Sequence, residues 1–100
     1  MKTQLIVAEV ISAEKIERSK KLLKLKVKLD SEERQLVAGI AESNNPEDLI
    51  GKKVVIVANL EAAKIMGVES RGMILAVEKE NGEMQVVTVD NSVKNGTRVK

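Results

Sequence analysis

Leu23, Leu25, Val27 and Leu29 alternate with Lys24, Lys26 and Lys28. A strict period of two cannot be served by a helix. It demands an extended strand with one face in an apolar core and one face of lysines in water. The core has to be built without a single Phe, Tyr or Trp. Val, Ile, Leu, Ala and Met must therefore fill it, and these make up all of the 43% apolar content of a 100-residue chain. That is enough for one domain over residues 1–100.

The flanking pattern extends the all-β reading. Residues 5–12 are rich in Leu, Ile, Val and Ala and read as a buried first strand, and residues 13–21 as a polar stretch with a helical turn. Asp30-Ser31-Glu32-Glu33 supplies a turn, and residues 34–41 return as a third strand. Asn45, followed by Pro46, Glu47 and Asp48, is the N-cap signature of a short helix that Gly51 ends. Residues 53–59 (KVVIVAN) hold an unbroken apolar run, as in a central strand. A connection follows over 60–70, then a strand over 71–78. Asn81-Gly82 is a strong hairpin signal, with 84–89 pairing back and 97–100 as a last edge strand. Strands at this spacing, with a short helix between the third and fourth, predict a five-stranded OB-fold barrel with a C-terminal strand extension. An SH3-like barrel or a small sandwich satisfies the pattern as well.

Composition excludes several classes of chemistry. With no Cys and no His there is no disulfide, no thiolate or imidazole metal site and no histidine base. Glu32-Glu33, and Glu78 with Glu80, have no partner nucleophile. No enzyme, metal or cofactor is expected. No apolar run reaches the roughly 20 residues of a membrane helix. The first residues do not read as a signal peptide, and the expectation is a cytoplasmic protein.

Charge is polarised. Lys15, Arg18, Lys20, Lys21, Lys24, Lys26 and Lys28 face a single Glu17 within residues 15–28, and residues 29–50 are mostly acidic. Such a chain orients towards a polyanion despite a net charge of only +2. Strand lysines two residues apart lie about 6.6 Å from one another, close to phosphate spacing. An ordinary solvated face would look the same.

The stretch from Glu33 to Val77, with ERQLVAGIA, GKKVV and above all GVESRGMILA (67–76), resembles the tRNA-binding domain. That domain is appended to methionyl-tRNA synthetases, forms their separate β-subunit, and occurs as a free-standing tRNA-binding protein. Where the family has His-Pro-Asn-Ala-Asp-Lys-Leu, this chain has residues 16–22, and only Lys21 and Leu22 match. Val37-Ala38-Gly39 replaces Val-Ser-Gly. The resemblance implies a non-catalytic module that grips the outer corner of folded tRNA as a homodimer, alone or beside a synthetase catalytic chain. It marks Lys21, Ser70 and Met73 as RNA contacts. Arg18 and Lys20, in the loop after the first strand, and Lys64 and Arg71, flanking the 67–76 segment, are expected as phosphate ligands. Peptide-binding export chaperones share this fold but differ in the 67–76 segment.

Overall fold

The computed structural model describes residues 3–100. Met1 and Lys2, the start of the lead-in read above as a non-signal sequence, lie outside them. The elements are β1 (Leu5–Lys15), β2 (Leu23–Lys28), β3 (Glu33–Ala38), α1 (Pro46–Leu49), β4 (Lys53–Val57), β5 (Ala63–Ile65), β6 (Val68–Ser70), β7 (Met73–Ile74), β8 (Ala76–Glu78), β9 (Met84–Val86) and β10 (Thr88–Val89). The protein is nearly all β, with one short helix between the third and fourth strands as expected.

The main sheet runs β10-β4-β1-β2-β3, with β7 also on β4. Every pairing in it is antiparallel. The ladders draw an open sheet, because β3 and β7 share none. Across that gap one backbone bond runs from the Arg71 N–H to the Gln35 carbonyl, 2.8 Å. Side chains supply the rest of the seam.

Register explains which residues are inside. Ala13, Leu25 and Leu36 form one cross-strand row, and Ile6, Ile56 and Ile74 another. Leu25, Leu36 and Ile56 are fully buried in the aliphatic core. β1 carries a bulge between Val10 and Ser12. Ile11 is the extra residue, and without it Ala13 would turn out and Ser12 in. The bulge keeps both Val10 and Ala13 on the core side.

Several expectations shift in detail. Residues 13–15 continue β1, so the helical turn reduces to a turn at residues 17–18. Asn45 occupies the N-cap position of α1 but makes no side-chain cap bond. The 60–70 connection is a hairpin, β5–β6, turned by Met66 (φ 55°) and Gly67 (φ 78°). The strand expected over 71–78 divides into β7 and β8, with the Asn81-Gly82 turn joining β8 to β9. Residues 97–99 line up beside β1 through one bridge, Ile6 to Arg98, rather than as a strand of the sheet.

Ser70 is the buried polar residue of the seam, 3% exposed. Its hydroxyl accepts from the Val37 N–H at 3.0 Å and donates to the Gly72 carbonyl at 2.9 Å. The expectation of a surface hydroxyl is corrected: both hydrogen-bonding functions serve the backbone. Gly72 has φ 135°, and a Cβ there would meet the Val57 carbonyl oxygen at 2.8 Å. Ser70→Ala should therefore cost about 1–3 kcal/mol, the penalty for a buried N–H left unpaired. Gly72→Ala should cost at least as much through strain and overlap. Urea unfolding of both variants checks this, and wild-type midpoints would remove the seam from the stabilising interactions.

Candidate nucleic-acid interface

The loop between β1 and β2 is short and braced. The Ile16 N–H meets the Leu22 carbonyl at 3.2 Å and closes it. The Ser19 N–H donates to the Ile16 carbonyl at 2.9 Å. The Ser19 hydroxyl accepts from the backbone N–H groups of Lys21 and Leu22, both at 3.2 Å. The Lys21 carbonyl takes the Ala41 N–H at 2.9 Å, tying the loop to the chain after β3. Arg18, Lys20 and Lys21 are exposed on this frame. Three cations within four residues thus stand on a backbone tied by these hydrogen bonds.

Lys64 and Arg71 stand on the other side of the seam. Lys64 is exposed on β5, opposite Glu69 of β6. The Arg71 side chain is exposed while its backbone serves the seam. Residues 58–71 are fastened to β3 by two side chains. Arg34 donates to the Ala58 carbonyl and, at 3.5 Å, to the Arg71 carbonyl. Gln35 Nε2 donates to the Glu69 carbonyl at 2.8 Å. Neither Arg34 nor Gln35 was singled out in the sequence. The available signal was parity, since Arg34 shares the inward register of Leu36 and a cation there needs carbonyl partners.

Met73 does not share surroundings with these cations. It is 41% exposed and sits opposite Val57, which sits opposite Leu5. Val99, 42% exposed, donates its N–H to the Leu5 carbonyl and extends the same row. Met73 thus belongs to an outward apolar row.

The lysine face of β2 is not uniform. Lys24 is bridged to Glu14 at 2.6 Å. Lys28 pairs in register with Glu9 on one side and Glu33 on the other. Only Lys26 has uncharged neighbours, Ser12 and Gln35.

Among the described residues no cluster of acidic side chains is arranged to hold a metal ion. Among them no helix is long and apolar enough to cross a membrane. What the surface offers is exposed cations on braced backbone, which suits phosphate contacts rather than bond-making.

Comparison with known proteins agrees with this chemistry. The tRNA binding domain family matches residues 5–98. The methionine–tRNA ligase of Methanocaldococcus jannaschii is 52% identical over 99 residues, and that of Caldanaerobacter subterraneus subsp. tengcongensis is 50% identical over 98. The matches cover 99% and 98% of this chain but 15% of each ligase. The catalytic part of those ligases lies outside the matched stretch, and this chain is a non-catalytic module. Among solved structures, a MetRS-related protein from Pyrococcus horikoshii superposes with a TM-score of 0.93 at 46% identity, covering 98% of this chain and 90% of that one. The chaperone CsaA from Bacillus anthracis superposes with a TM-score of 0.88 at 26% identity, again covering 98% and 90%. The chain belongs to the tRNA binding domain family.

Proposed function

We propose that the chain is a cytoplasmic tRNA-binding accessory domain or β-subunit of a methionyl-tRNA synthetase. In this reading it raises the affinity for tRNA while a separate catalytic region charges it. The observation that carries the reading is the braced cationic loop of Arg18, Lys20 and Lys21 on a domain about half identical to a stretch of methionine–tRNA ligases. Lys64 and Arg71 extend the phosphate contacts. Ser70 acts through the seam and not on RNA, and Met73 serves a protein contact.

A free-standing tRNA binder is the second reading. Its support is the Pyrococcus horikoshii protein, most of whose chain this one covers. Affinity capture of the native protein distinguishes the two: co-purifying synthetase supports the first, tRNA alone the second. A peptide-export role has weaker support, since CsaA shares only 26% identity.

We also propose a homodimer. Residues 97 and 99 spend backbone groups on β1, which leaves those of Arg98 on the outer edge. Beside that edge runs the apolar row of Val99, Leu5, Val57 and Met73. A second copy covers both features, and two RNA patches on one particle raise affinity through effective concentration. Sedimentation at micromolar concentration should give a dimer. Val99→Asp should shift it to monomer and weaken tRNA binding without loss of folding. A monomeric wild type at that concentration removes the dimer from the proposal.

Binding should be electrostatic and directed by shape. With no aromatic ring, stacking worth about 1–3 kcal/mol per base is unobtainable. Folded tRNA should outbind poly-U, and log affinity should fall with log salt by about 0.7–0.9 per phosphate contacted. Arg18→Ala, Lys20→Ala and Lys21→Ala should each weaken binding and make that slope shallower by up to about one unit. Their unfolding midpoints should stay put, as all three side chains are exposed. Equal affinity for poly-U and folded tRNA would contradict the reading.

A further inference from the structure

The cation loop closes the end of the β1–β2 hairpin, the β5–β6 hairpin lies beyond β3, and a row of side chains across β1, β2 and β3 runs between them. Ser12 of β1, Lys26 of β2 and Gln35 of β3 stand side by side in register on the outward face. Gln35 reaches the Glu69 carbonyl of β6, and Glu69 faces Lys64 of β5. The row thus ends at Lys64. At its other end is Ser12 of β1, and the loop lies further along β2, with Lys26 four residues from Leu22, about 13 Å along the strand, or two phosphate spacings.

The bulge in β1 shapes the middle of this row. Its register shift puts Ser12, and not Ile11, opposite Lys26. A hydroxyl stands beside the ammonium where regular pairing would put an isoleucine. A shallow cleft of about 130 Å³ opens here, lined by Ser12, Glu14, Lys24, Leu25, Lys26 and Gln35. Glu14 is the one carboxylate in it and is bridged to Lys24. The Lys26 side chain is exposed and has no ion pair or hydrogen bond among the described residues. Lys24 and Lys28 already face carboxylates, so a phosphate there meets little net positive potential.

We propose that the bulge cleft is a phosphate-binding site for the RNA backbone, with Lys26 as its cation and Ser12 as a neutral donor. It joins the loop contacts to the hairpin contacts in one track across β2. The site rests on the tRNA-binding reading and specifies which strand lysine takes part.

The test is affinity for a folded tRNA transcript across a salt series, using the full chain. Lys26→Ala should bind about threefold to tenfold more weakly, with the slope shallower by about 0.7–0.9. Lys26→Arg should keep the wild-type slope. Ser12→Ala should lower affinity roughly twofold to tenfold at unchanged slope, since it removes a hydrogen bond and no charge. Lys28→Ala, outside the cleft and opposite two carboxylates, should bind within about twofold of wild type. Thermal unfolding of each variant verifies folding. Wild-type affinity and slope for Lys26→Ala overturn the site, whatever the loop variants do. Equal losses at Lys26 and Lys28 overturn it too, because the strand then acts as a diffuse charge. Failure of the tRNA-binding reading has a different signature: wild-type protein that does not prefer folded tRNA.

Discussion

Strand β1 is the constraint against which the rest of the chain is registered. Its first half pairs with β4 and its second half with β2, and Glu9 takes part in both ladders. A strand between two partners must keep one face apolar along its whole length. The extra residue at Ile11 lets it do so, by resetting the parity between Val10 and Ala13. That reset also fixes what appears outside. Before the bulge the outward residues are Leu5, Val7 and Glu9; after it they are Ser12 and Glu14. Val7 and Val55 are buried although they lie outside the main core cluster. From Leu5 to Ala8 β1 is therefore apolar on both faces, whereas from Glu9 on its outward face presents polar groups beside the lysines of β2.

The seam shows a second economy. A ladder between β3 and β7 would fix that join with backbone alone. Instead Arg34, Gln35 and Ser70 make the bonds, and all of them end on backbone groups. Side chains reach further than amides, so the 58–71 segment stands off the sheet and still has defined ends. Gly72 makes this possible, since its positive φ and missing Cβ let the chain pass against the Val57 carbonyl. The specific stretch GVESRGMILA is thus explained in part by packing: Gly67 turns the hairpin, Ser70 bonds β3, Gly72 makes the close approach and Ile74 enters the core.

The parts of the fold legible in the sequence are those where periodicity and burial coincide. The alternation from Leu23 to Leu29 gives β2 directly, and the apolar run beginning at Lys53 gives β4. Asn81-Gly82 gives its hairpin because its chemistry matches the turn. The β5–β6 hairpin gave no such signal, since its first positive-φ residue is Met66, a side chain with no preference for that region. The bulge was hidden too, because Val10, Ile11 and Ser12 do not reveal which residue is extra. Among site residues, Arg18, Lys20 and Lys21 were readable as an exposed cationic run. Ser70 stands out for its sequence neighbourhood but its burial does not, because a buried serine and an exposed one look alike without the seam. The unequal surroundings of Lys24, Lys26 and Lys28 depend on cross-strand partners, and those are fixed only by register.

A surface without rings sets its own terms for binding RNA. It has nothing to repay unstacking a base, so the RNA must bring its phosphates already arranged. Each exposed cation then contributes a modest, salt-sensitive share, and the sum depends on how little order is lost on binding. The loop bonds address that cost. Ser19 and the Ala41 N–H hold residues 16–22 before any ligand arrives, as Arg34 and Gln35 hold the ends of the 58–71 segment. Long lysine side chains retain freedom at their tips, but their roots are fixed. In the function proposed above, backbone hydrogen bonds under the charges take the part that aromatic stacking plays elsewhere. That explains why so much of the seam and loop chemistry is spent on carbonyls and amides rather than turned outward.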